Sequence, residues 1–222
     1  MQLALAVTLG ILAAVLGVAA VQWQHLLYRL PEHRVRGGGP AHKALMAFGG
    51  IGCGLTTALA LRPDHYDWFP AFLTALFCFS LVVLSSTDFE RRLLPNRLMY
   101  PSILAAAALS WAWPDRSLAD IWIGTGIAFA AGAALFLVGT LFGSARNVGT
   151  TPFGLGDVKL IVLLGLLTGW PAVRSALVIG VLVAGIPALI LIAFGRGRSA
   201  FSYGPYLAAG GAVVLLFPSA FL

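Results

Sequence analysis

Charge is scarce in this chain. Only 10% of its 222 residues are Asp, Glu, Lys or Arg, where a soluble domain carries about a quarter. With 59% hydrophobic residues and a mean hydropathy of +0.92, that shortage excludes a water-facing surface over most of the molecule. Cysteine is nearly missing too. Cys53 and Cys78 lie inside apolar runs, with neither metal-ligand spacing nor the numbers for a disulfide framework. Neither a metal nor a cofactor is therefore expected. The net charge of +6 is not accompanied by any basic stripe with interleaved aromatics, which argues against a nucleic-acid partner. No Lys or Arg precedes the apolar run from Leu3 to Val21, whereas a secretory signal has a basic start and a shorter core. The small residues Val18-Ala19-Ala20 admit a cleavage site, but the run reads better as a retained transmembrane helix. Low-complexity segments and internal repeats are also missing.

What is present is a series of long apolar runs. A helix needs about 20 apolar residues to cross the hydrocarbon core. The runs predict an all-α, polytopic bundle forming one integral-membrane domain over 1–222, with spans near 3–27, 44–61, 69–87, 98–113, 119–142, 158–170, 172–194 and 204–221. The sixth is the shortest and is not expected to cross fully. Turn residues separate the runs: Pro31 with Gly37-Gly38-Gly39-Pro40, then Pro63, Pro95, Pro114, Gly195 and Gly197. Eight spans sort the basic residues sharply. Arg29, Arg34, Arg36, Lys43, Arg91, Arg92, Arg97, Arg146, Lys159, Arg196 and Arg198 fall on one side, and only Arg62, Arg116 and Arg174 on the other. Because positive charge marks the cytoplasmic face, the N-terminus is expected outside.

The same topology puts Glu32, Asp88, Glu90 and Asp157 on the cytoplasmic side, and Asp64, Asp67, Asp115 and Asp120 outside. Asp88 closes the third span after Ser85-Ser86-Thr87, and Asp157 opens the sixth within Gly154-Leu155-Gly156-Asp157-Val158-Lys159. Carboxylates at membrane depth are costly and mark function by default. If the two meet, they cannot both ionise cheaply, so one keeps its proton while the other is charged. Such a pair can activate water and protonate a peptide carbonyl without metal or covalent intermediate. It titrates as a unit, so neither member is assigned acid or base. Gly154 and Gly156 permit close approach of another chain. Two plainer readings stay open: Asp157 as a helix N-cap after a glycine turn, and Asp88 as a solvated loop acid paired with Arg91 or Arg92.

Four segments resemble the type IV prepilin leader peptidases, membrane aspartyl proteases of the GxGD class. They are Leu26-Leu27-Tyr28-Arg29-Leu30-Pro31, Asp88 through Leu93-Leu94-Pro95-Asn96, Gly154 through Leu160, and Tyr203-Gly204-Pro205-Tyr206-Leu207. All four occur in family order at the predicted cytoplasmic face. The resemblance implies Asp88 and Asp157 as catalytic residues, with Gly154, Gly156 and Lys159 as supporting motif positions. It implies as partners the bilayer of a bacterial inner membrane and the N-terminal segment of a prepilin or pseudopilin, a short basic leader followed by an apolar helix. Cleavage would fall at the cytoplasmic face.

Two departures stand out. Asn96 replaces an Asp found in many relatives, outside the matched catalytic positions. The loop from Tyr28 to Lys43 has no cysteine, where many relatives carry a zinc-binding domain linked to N-methylation, so the resemblance does not extend methylation or zinc to this chain. Other polar residues read plainly: His33 and His42 as flanks of a basic glycine loop, His25 and Gln22-Trp23-Gln24 as interfacial anchors or interhelical hydrogen bonders, Glu32 and Glu90 as solvated. Gly49, Gly50, Gly52 and Gly54 suit close helix packing, and Trp68, Trp111, Trp113, Trp122 and Trp170 suit an outer aromatic belt. Competing functions are a carboxylate-based ion-coupled transporter, for which mid-membrane acids and related halves are wanting, and a catalytically silent partner in pilus or secretion assembly.

Overall fold

A computed structural model describes residues 3–34, 37–145, 154–194 and 202–221. Among the described residues, eight α-helices follow the eight apolar runs: α1 (Leu3–Trp23), α2 (Gly39–Ala60), α3 (Trp68–Arg91), α4 (Asn96–Ala108), α5 (Leu118–Ala145), α6 (Leu155–Thr168), α7 (Ala172–Ala193) and α8 (Gly204–Leu216). A 3-10 turn, Gln24–Leu27, prolongs α1, and no strand occurs among the described residues. Arg36, Arg146, Gly195, Arg196, Gly197 and Arg198, used above for turns and charge, lie outside them.

Breaker residues set the ends. Arg92 adopts a left-handed conformation (φ 54°) and returns its N–H to Asp88 O at 2.8 Å, stopping α3. Pro95 then precedes α4, Gly154 caps α6, and Gly169 (φ 66°) ends it. Among the described residues, five helices are long and apolar enough to cross a membrane: Leu3–Leu27, Gly39–Ala60, Trp68–Arg91, Leu118–Leu141 and Ala172–Ile190. The chain is therefore a multi-pass membrane protein. The helices α4, α6 and α8, at 13, 14 and 13 residues, rise only about 20 Å, less than the hydrocarbon core. The fourth and eighth runs are broken, at Leu109 and Phe217, by short 3-10 turns.

Packing explains why short helices suffice. Successive helices are neighbours except at α4 and α5, where α4 packs on α6 instead, and α8 touches both α3 and α6. Every residue from Leu81 to Asp88 is buried, as are Leu160, Ile161, Leu163, Leu164 and Leu215. The flanking α1, α5 and α7 expose Ile11, Phe129 and Leu182, the apolar surface that lipid would cover. Helices α1 and α2 approach through glycine as expected: a Cβ on Gly17 would lie 2.5 Å from Gly49 O. Gly49, Gly50 and Gly54 face α1, while Gly52 faces Val82 of α3.

One belt tryptophan is corrected. Trp113 is 1% exposed and donates from Nε1 to Thr74 Oγ1 at 3.0 Å, whereas Trp68, Trp111 and Trp122 are exposed. Only a tertiary neighbour on α3 distinguishes Trp113 from the others.

Candidate active site

Because the helices alternate in direction, one end of the bundle collects the C-termini of α1 and α3 and the N-termini of α2, α4, α6 and α8. Asp88 sits there, in the last turn of α3 and 5% exposed. That burial overturns the solvated-loop reading, because the residue lies inside a helix wrapped by neighbours. Its carboxylate accepts from Ser202 Oγ through Oδ2 and from the Gly204 amide, with Arg92 within electrostatic reach. Gly204 must be glycine for this contact: a Cβ there would lie 2.6 Å from Asp88 Oδ2.

Asp157 stands in the first turn of α6, half-buried. Its Oδ2 accepts from Gly154 N at 3.0 Å, so Gly154 is the N-cap and Asp157 the third helical residue. The N-cap reading of Asp157 is thereby corrected: the helix starts at Leu155, three residues earlier than that reading requires, and Asp157 accepts from the cap's amide instead of being the cap. Asp88 acts electrostatically on Asp157, which places the two carboxylates in one neighbourhood although α3 and α6 are joined mainly through α8 and α4. The α4 side is closed by the motif residues. Leu94 packs on Gly156, whose Cβ would lie 3.3 Å from Leu94 Cδ1. Lys159 Nζ donates to Asn96 Oδ1 at 2.9 Å and lies 4.7 Å from the Tyr100 ring centroid. The departure at Asn96 is therefore part of the tie between the two aspartate segments.

Behind Asp88 lies a polar chain that the sequence did not reveal. Ser86 Oγ donates to Gln24 Oε1 at 2.6 Å, and Gln24 Nε2 donates to Glu90 Oε2 at 2.8 Å. His42 Nδ1 is 3.3 Å from Glu90 Oε1. Glu90 is thus largely enclosed rather than solvated, because α2 and the turn after α1 close over it. His42 lies inside α2 and is buried, not on a loop flank. Gln24 acts as an interhelical hydrogen bonder, one of the two roles expected for it. Tyr28 is buried as well; burial, then the Glu90 charge, pushes its phenol up, so it stays protonated and donates to Thr87 O at 3.3 Å. Arg91 lies over the Tyr28 ring. Glu32 and His33 pair at the surface, 3.7 Å apart.

Comparison with known proteins bears on this arrangement. The profile of the "Type IV leader peptidase family" matches residues 75–193, more than half of the chain and inclusive of both aspartates. This chain belongs to that family. Among its relatives, a prepilin leader peptidase/N-methyltransferase of Burkholderia pseudomallei is 34% identical over 148 residues, 65% of this chain and 46% of that protein. Proteins of the same description from Stutzerimonas stutzeri and Pectobacterium carotovorum are 26% and 31% identical, over 75% and 70% of this chain and 56% of each relative. The chain spans about half the length of the curated relatives it matches. No solved structure matches it significantly.

Proposed function

We propose that this protein is a membrane aspartyl endopeptidase that removes the basic leader from type IV prepilins or pseudopilins, with Asp88 and Asp157 as its catalytic pair. The observation that carries the reading is the convergence of a buried carboxylate from α3 and a half-buried one from α6 at one end of a lipid-facing bundle. Family membership supplies the substrate class. Asp88 and Asp157 share one neighbourhood, as a single ionised–protonated pair requires. The ionised carboxylate takes a proton from water as the oxygen bonds to the peptide carbonyl carbon, and the protonated one gives its proton to the carbonyl oxygen.

The site-bearing end also carries Arg29, Arg34, Lys43, Arg91, Arg92, Arg97 and Lys159, against Arg62, Arg116 and Arg174 at the other. That asymmetry supports a cytoplasmic site and an outward N-terminus, in a bacterial inner membrane, with the whole chain acting as one peptidase domain. A prepilin's apolar helix would lie in the bilayer while its leader meets the basic end. Methylation of the product is not part of the proposal.

Co-expression with a candidate prepilin tests it. Leader removal is expected as a mobility shift, and the mass of the new N-terminus shows whether a methyl is added. A full-length prepilin beside abundant membrane-inserted enzyme, repeated across several prepilins, would count against the peptidase and favour the silent-partner reading.

A further inference from the structure

The segment that enters α8 touches Asp88 more intimately than either aspartate motif touches the other. Ser202 Oγ meets Asp88 Oδ2, and the Gly204 amide hydrogen-bonds the same carboxylate. An amide N–H can only donate, so this contact favours a carboxylate that carries charge. The first turn of α8 adds the positive end of a helix dipole. Arg92, at the end of Asp88's own helix, adds a cation within reach. Tyr28, from the turn after α1, faces the same carboxylate as a neutral phenol, and Asp157 faces it from α6. Asp157, by contrast, accepts from Gly154 N at 3.0 Å, and no side-chain hydroxyl reaches it among the described residues.

Resting on the peptidase reading above, we infer that Ser202 is a positioning residue which, with the Gly204 amide, fixes Asp88 as the ionised, water-activating carboxylate and leaves Asp157 as the proton donor. The reaction balances under this assignment. Asp88 accepts a proton from water while the water oxygen bonds to the carbonyl carbon, and Asp157 gives its proton to the carbonyl oxygen. In the collapse of the resulting diol, Asp88 returns its proton to the amide nitrogen, the C–N bond breaks, and Asp157 recovers a proton from a diol hydroxyl. The products are a carboxylic acid and an amine, and the pair again holds one proton. Oxygen Oδ2 is held by Ser202, so the geometry directs the water to the remaining oxygen of Asp88.

The test is the pH–rate profile of leader removal from a prepilin N-terminal peptide by the full chain in detergent, for wild type, Ser202→Ala and Ser202→Thr. Losing a donor to the charged form makes that carboxylate hold its proton to higher pH. Ser202→Ala is therefore expected to move the acid limb to higher pH, leave the alkaline limb in place, and lower kcat about tenfold with KM unchanged. Ser202→Thr keeps the hydroxyl and should restore both limb and rate, which a merely structural role would not do. Movement of the alkaline limb instead would reverse the acid–base assignment. A wild-type profile in Ser202→Ala, with wild type active, would overturn the inference and leave the peptidase standing. Absence of cleavage by wild type would remove both. If Ser202→Ala is too unstable to assay, Gly204→Ala, whose Cβ would lie 2.6 Å from Asp88 Oδ2, is read in its place: wild-type rate and profile would overturn the inference, and an impaired rate with the acid limb displaced would uphold it.

Discussion

The two ends of the bundle use polar residues in opposite ways. At the end away from the aspartates, Arg116 is enclosed (3% exposed) and all its reach is spent on structure. It pairs with Asp115 at 3.0 Å, donates to Tyr66 Oη at 3.0 Å and to Leu167 O at the end of α6. Arg62 does the same for α8, donating to Leu216 O at 2.6 Å. There, cations close helix C-termini, where orphan carbonyls and the negative dipole end await them. At the aspartate end the signs are inverted: carboxylates sit against helix N-termini, on α6 and α8. At the first end, two helix C-termini are capped by cations. The second gathers two ionisable carboxyls in one neighbourhood, a costly arrangement that a merely structural end would avoid.

Breaking each end should therefore produce different losses. The largest is expected for Gly204→Val, which drives a branched side chain into Asp88: cleavage should fall about 100-fold or more, well beyond what the accompanying overpacking drop in the thermal midpoint accounts for. A thermal shift measurement beside the activity assay separates the two. Arg116→Met should do the reverse. Removing one partner of an enclosed pair costs about 3 kcal/mol, so the midpoint should drop clearly, while the protein that remains folded cleaves at the wild-type rate. Glu90→Gln leaves shape intact but removes the charge facing His42. A few-fold loss of activity is expected, checked by initial rates at matched membrane levels.

His65, in the loop between α2 and α3, gives the comparison a pH dependence. Burial, then the Arg62 charge, holds it down at about 4, below its ordinary 6.5. The unfolded chain then binds a proton that the native state refuses. Its contribution to stability is complete above pH 6.5 and declines as pH falls from about 6.5 towards about 4. His65→Gln should flatten that slope in thermal shifts across this window. The smallest effect is expected at Asn96→Asp, which turns the Lys159 hydrogen bond into a surface ion pair, a gain within about 1 kcal/mol.

Much of this was legible in the sequence because membrane helices are written in local terms. Apolar runs and their Pro and Gly breaks located all eight helices, and motif spacing located Asp88 and Asp157. What escaped was whatever depends on which side of a helix is enclosed. Gln24 and Glu90 stand 66 positions apart in sequence, and nothing local says that they touch. Trp113 looked like its exposed neighbours until Thr74 was seen beside it. Ser202 directly precedes the matched Tyr203-Gly204-Pro205 stretch, the one signal that could have flagged it. The shortness of α4 and α8 escaped for a related reason, whereas the sixth run was already expected not to cross fully. Hydropathy counts apolar residues but cannot tell lipid contact from burial among other helices, and α6 and α8 are largely of the second kind.

The measurement closest to the central claim is leader removal from a co-expressed prepilin by Asp88→Asn and Asp157→Asn, each at wild-type membrane abundance. Both substitutions keep size and hydrogen-bonding shape while deleting the exchangeable proton. The account predicts cleavage by wild type and loss of about a thousandfold or more in each variant. Cleavage that survives in either variant would contradict the claim that the two carboxylates act as one catalytic pair.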